Sequence, residues 1–175
     1  EKSLVIQAEQ GIVTGEVPLS ANNAGGLNLD IYYDVNHHNL VTLFEVPREI
    51  TPGLTVHIMR SLIRYHDGLR SRFLYDKTGW RQFIDAPTDE APFIFIDLSA
   101  LPAAIQGIAI ESAANELHRS FNLSEGLLLR IALFHLGAGD SRRLLFIAHH
   151  AIVDAFSWQI FLRDARDAYL QCQHG

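Results

Sequence analysis

Cysteine is nearly absent. Cys172 is the single one in 175 residues, which excludes an internal disulfide framework and fits a reducing, cytoplasmic setting. No apolar run approaches the length needed to span a bilayer. No basic cluster stands out and the formal net charge is -6, which argues against a nucleic-acid partner. The opening EKSLVIQAEQ has no basic leader ahead of an apolar region, so no signal peptide is expected. Internal repeats and low-complexity tracts are lacking, and so is the G-x-S-x-G elbow of many serine hydrolases. Hydrophobic residues make up 48% and charged residues 19%. That balance describes a globular chain with one sizeable core, or one lobe of something larger. The plain ends suggest a piece excised from a longer polypeptide.

The hydrophobic pattern organises the rest. Residues 1–38 read as an irregular N-terminal segment, with Pro18, several asparagines and Gly25-Gly26 as loop signals. NLVTLFEV, Asn39 to Val46, is β-rich. Thr51 is a good N-cap and Pro52 suits the first turn of a helix with Leu54, Ile58, Leu62 and Tyr65 along one face. RSRFLYDKTGWRQFI reads as a hairpin turning at Asp76 to Gly79, and PFIFIDLS as a further strand. An alanine-rich helix follows over about Pro102 to Ser120, with Ile105, Ile108, Ala109 and Leu117 available for burial. LLLRIALFHLG and RRLLFIAHH read as two strands, and Phe156 to Gln171 as the last helix. The order β-α-β-β-β-α-β-β-α predicts an α/β fold, a two-layer sandwich of one mixed sheet with helices, in a single lobe over residues 39–175.

One stretch carries chemistry. In LLFIAHHAIVDAFSW, His149 and His150 end an apolar strand, and Asp154 follows near a helix start. Successive strand side chains point to opposite faces. One histidine therefore enters the packing layer and the other emerges at the strand's end, where an imidazole titrating near about pH 6.5 suits proton transfer. Asp154 is placed to cap the helix or to pair with a buried arginine. A solvated or core-satisfied pair is the plain alternative. A metal site is another, although adjacent histidines rarely converge on one ion and no further ligand cluster is evident. The second pair, His37-His38, has a loop-like setting and reads as exposed rather than functional.

HHAIVDAFSW resembles the HHxxxDG signature of the condensation superfamily of non-ribosomal peptide synthetases, which shares its fold with chloramphenicol acetyltransferase. Other blocks occur in the family's order. GEVPLS, Gly15 to Ser20, is similar to its opening GEVPLTP. YHDGLRSRF, Tyr65 to Phe73, is similar to RHExLRTxF, and FNLSEGLLLR, from Phe121, to FDLxxGPLLR. GEVPL and the pair Ser157-Trp158 look more like epimerization than ordinary condensation domains.

The resemblance implies that His150 is the chemical residue. In epimerization domains it moves the Cα proton of an aminoacyl or peptidyl thioester held on the phosphopantetheine of a carrier protein. In condensation domains it orients or deprotonates the attacking amine. His149, Asp154, Arg70, Ala155, Ser157 and Trp158 are implied to support the site, with Asp154 pairing with Arg70. No directly bound cofactor and no metal are implied. The expected partners are a peptidyl carrier protein and neighbouring synthetase domains, with self-association of an uncovered lobe as a further expectation.

Three departures bear on activity. The chain stops soon after the signature helix, where the family continues with a second lobe that supplies a glutamate as the opposing acid. Ala155 stands in place of the signature glycine. After Leu19 the family's glutamine- and aromatic-rich helix is expected to be missing or altered. Two readings follow: an enzyme lobe inactive alone, or a non-catalytic remnant serving as a structural or carrier-protein interaction module.

Overall fold

The order and pairing of four strands set the frame for everything else. In the computed structural model, which describes residues 11–27, 34–137, 139 and 142–174, these strands are β2 (Asn39–Val46), β7 (Arg142–His149), β6 (Leu129–His135) and β5 (Phe93–Asp97). They lie side by side in that order. The β2–β7 and β7–β6 pairs are antiparallel and β6–β5 is parallel, so the sheet is mixed. The parallel pair requires a long crossover, and α3 (Ala103–Arg119) supplies it between β5 and β6.

The middles of the two central strands, Ile131–Phe134 and Leu144–Ala148, are wholly apolar because both of their faces are covered. Leu144, Phe146 and Ala148 of β7 pack with α2 (Pro52–Tyr65) and α4 (Ala155–His174) on one face. Leu145 and Ile147 pack with Ala109, Ile110, Ala113 and Leu117 of α3 on the other. The helix on this second face adds a layer to the sandwich expected from the sequence.

Local signals place the elements. Thr51 caps α2, its Oγ1 accepting from Leu54 N at 3.2 Å, and Pro52 occupies the first turn. The buried stripe of α2 is Ile58, Met59, Leu62 and Ile63, while Tyr65 falls beyond its edge and is 78% exposed. Ile105 and Ile108 of α3 are likewise exposed. Ile108 lies on the side of the helix away from the sheet, and Ile105 at the margin of the face that Ala109 and Ala113 present to it. The hairpin forms as its sequence predicts, from β3 (Ser71–Asp76) and β4 (Gly79–Ile84). Asp76 Oδ1 accepts from Thr78 N at 2.7 Å, and Gly79 adopts φ +106° to close the turn.

The segment read as irregular over residues 1–38 holds structure among its described residues. β1 (Gly15–Val17) adds to β4 as the third strand of a small sheet ordered β1-β4-β3. A strand of three residues is recruited by backbone pairing, which leaves no side-chain pattern. Arg81 pins it by bonding both carboxylate oxygens of Glu16, at 2.8 and 2.6 Å. α1 (Ala21–Leu27) follows. Its asparagines and glycines disfavour a helix, but its ends are tied: Ser20 Oγ accepts from Asn23 N at 3.2 Å, and Leu27 O accepts from Trp80 Nε1 at 3.1 Å. The position after Leu19, where a helix was expected to be missing or altered, thus holds a helix of seven residues. No helix among the described residues is long and apolar enough to cross a membrane, and Cys172 is exposed.

Candidate active site

β7 ends at His149, and His150 is the first residue of the turn that follows it. His149 is 2% exposed, and its ring is fully bonded. Nε2 meets Val35 O at 2.7 Å, and Nδ1 accepts from Ala151 N at 3.0 Å. This pattern fixes the neutral tautomer with the proton on Nε2. Burial pushes the imidazole down to about 4, outweighing the opposing pull of the Val35 carbonyl. His149 is a packing residue that stays uncharged near neutrality.

Like His149, His150 lines a cleft of about 600 Å³. Its backbone N donates to His38 O at 2.7 Å, and its ring stacks on that of His38 with centroids 4.4 Å apart and planes 18° from parallel. Burial and the neighbouring His150 hold His38 below the ordinary imidazole range. The register explains the meeting. Asn39 of β2 faces His149 of β7, so the residue before β2 lies beside the residue after β7. His38, read from sequence as exposed, therefore belongs to the site. Only the pairing of strands more than a hundred residues apart reveals it.

The cleft lies where the small sheet approaches the large one. Ser71 and Gln82 of the hairpin line it together with Ser20, Asn23 and Leu27 around α1 and the segment following β7. Asn23 Nδ2 donates to Ala151 O at 3.0 Å and joins α1 to that segment. Among the described residues, no three His, Cys, Asp or Glu side chains converge in a metal-holding arrangement.

Asp154 and Arg70 do not pair, which corrects the expectation drawn from the resemblance. Asp154 is the N-cap of α4. Its Oδ1 accepts from Ser157 N at 2.7 Å and Phe156 N at 3.1 Å, while Ser157 Oγ accepts in return from Asp154 N at 2.8 Å. This reciprocal arrangement is a capping box, and the bonds from Ser157 lead in holding the Asp154 carboxyl below its usual range. The carboxylate is exposed and needs no arginine.

Arg70 is 2% exposed and spends its donors elsewhere. Nε donates to Asp85 O at 2.9 Å, Nη1 to Ile63 O at 2.7 Å and Arg64 O at 3.2 Å, and Nη2 to Val13 O at 3.1 Å. Its carboxylate partner is Asp67, three residues upstream. Trp158 is buried, donates Nε1 to Thr42 Oγ1 at 3.0 Å and stacks on Phe161, which fixes α4 against β2. Ala155 opens α4 in helical conformation and is exposed; the cleft is lined by Asp154 and Ser157 but not by this methyl. A glycine's conformational freedom is not required there.

Residues 13–175 match the Condensation domain family. The chain belongs to this family. It is a condensation/epimerization-type domain of non-ribosomal peptide synthetases with the chloramphenicol acetyltransferase-like fold. The chain is 37% identical over its whole length to a linear gramicidin synthase of Brevibacillus parabrevis, of which it covers 3%. Among solved structures, the epimerization domain from the third module of tyrocidine synthetase B superposes with a TM-score of 0.83 at 27% identity, covering 95% of this chain and 37% of that one. The starter condensation domain of rhizomide synthetase shares the fold, with a TM-score of 0.73 at 24% identity over 93% of this chain and 39% of that one. The condensation-family chain thus spans well under half of the domains it resembles.

Proposed function

We propose that this chain is the N-terminal lobe of an epimerization- or condensation-type domain, acting on aminoacyl or peptidyl thioesters presented on the phosphopantetheine of a carrier protein. His150 is the group that handles the proton. The observation that carries this reading is the placement of His150: it directly follows a central strand, lines an open cleft, and has a neutral, fully bonded His149 before it. Epimerization removes the Cα proton beside a thioester carbonyl and returns it on the opposite face. It needs a base, a stabiliser for the developing oxyanion and an acid across the cleft. In this reading His150 supplies the base, a second lobe supplies the opposing group, and the lobe is inactive by itself. His149, Asp154, Arg70, Ala155, Ser157 and Trp158 support the site from outside the chemistry.

The partners in this reading are a peptidyl carrier protein and the neighbouring synthetase domains. The isolated lobe self-associates through apolar side chains left exposed at the sheet edges, Val41 and Leu43 on β2 and Ile94 and Phe95 on β5. A non-catalytic remnant, docking a carrier protein or spacing domains, is the second reading; the sequence ANNAGGL of α1, where the resemblance implies a glutamine- and aromatic-rich helix, favours it. The test is Cα deuterium incorporation into an L-aminoacyl thioester on its carrier protein, in the parent synthetase and in the chain alone. Exchange or product formation in the parent that is lost in His150→Ala supports the enzyme lobe. An unchanged product and stereochemistry in that variant supports the remnant.

A further inference from the structure

We propose that His38 is a positioning residue for His150, holding that imidazole in one orientation on the cleft wall by ring stacking and a backbone tether. This rests on the reading of His150 as the proton-handling group. The two residues are joined twice. Their rings lie face to face at 4.4 Å and 18°, and His38 O accepts from His150 N at 2.7 Å. Both line the cleft. A histidine at the end of a strand has two side-chain torsions and samples several orientations unless something packs against its ring. His38 provides that surface.

His38 is itself held in place. It follows a single 3-10 turn, Val35–His37, capped by Asp34 Oδ1 accepting from Asn36 N at 2.9 Å. Asn36 Oδ1 accepts from Leu123 N at 3.0 Å and anchors the turn to the loop before β6. Val35 O is the partner of His149 Nε2 at 2.7 Å. One turn therefore receives the buried histidine through its first residue and presents His38 to the exposed one. Burial keeps His38 neutral in preference to charged. A neutral ring can face an imidazolium without repulsion, so the stack survives when His150 takes a proton.

The experiment uses the synthetase that carries this chain, with turnover of a carrier-bound aminoacyl thioester read as Cα deuterium exchange and as product. His38→Ala is expected to lower kcat roughly ten- to hundred-fold while KM stays within about twofold, as loss of orientation does. His38→Phe keeps a flat ring and is expected to restore kcat to within about threefold of the wild type. His38→Gln removes the ring while keeping polar bulk, so it replaces His38→Ala in the comparison should the latter fail to fold. Wild-type kcat in both ringless variants, or a Phe variant as slow as they are at equal thermal stability, overturns the positioning role. Wild-type turnover in His150→Ala overturns instead the reading of His150 on which the role rests.

Discussion

Acid should destabilise this fold through one side chain. His149 is buried, and its bonds to Val35 O and Ala151 N suit only the neutral ring. Burial depresses its titration to about 4, against about 6.5 in an unfolded chain. For a base depressed on folding, the unfolded state binds the proton first as pH falls. The stability that depends on a neutral His149 is therefore complete above about pH 6.5 and drains away as pH drops toward about 4. The gap between those values corresponds, at about 1.4 kcal/mol per pH unit, to about 3 kcal/mol. That is a large part of what a single small domain has in reserve.

Urea unfolding at a series of pH values between about 7.5 and about 4.5 reads this directly. His149→Gln supplies the control, because its amide can still donate toward Val35 O but never titrates. The glutamine variant starts lower, by roughly 1–3 kcal/mol for the bond it leaves unmade. Its stability should then fall less steeply with acid than that of the wild type, the difference between them changing by about 2.5 kcal/mol over this range, enough for the curves to meet or cross. His38 and His118, also held below the ordinary imidazole range by burial, contribute to both proteins and cancel in the difference. Parallel curves would refute the assignment of acid sensitivity to His149.

Other substitutions separate the capping and bridging roles. Asp154→Ala should cost about 1 kcal/mol, the loss of a helix N-cap, seen as a small drop in thermal midpoint; a loss several times larger would restore the case for a buried ion pair. Arg70→Ala should cost about 3–5 kcal/mol because it strands a carboxylate and several buried carbonyls, and an unchanged urea midpoint would contradict the bonding around it. Ala155→Gly should destabilise α4 by less than about 1 kcal/mol and leave turnover of the parent synthetase unaltered. A gain in turnover would mean that the methyl obstructs the substrate path.

The element order was legible because periodicity is a local property. β6 and β7 announce themselves by the apolar runs Ile131–Phe134 and Leu144–Ala148 at their centres, α2 by Thr51 and Pro52, and the hairpin by Asp76 to Gly79. β1 and α1 were not legible, since one depends on backbone pairing to β4 and the other forms against the propensity of its own residues. At the site, the strand leading to His149 and His150 is legible, but His38 enters through the β2–β7 register, which no local pattern encodes. Arg70 shows a different limit. Its burial demands a carboxylate, yet the sequence offers several, and the chain took Asp67, one turn away, over Asp154.

Arg70 also has a mechanical meaning. Its guanidinium grips the C-terminal end of α2 through the carbonyls of Ile63 and Arg64, the lead-in to β1 through Val13 and the exit from β4 through Asp85. Those segments belong to the small sheet and to a helix packed on the large one, so one planar cation ties the small sheet to that helix. A lysine has a single nitrogen and cannot span that many directions. Arg70 itself does not line the cleft that His150 faces, so its substitution would act on how the small sheet is held and not directly on any residue of that cleft.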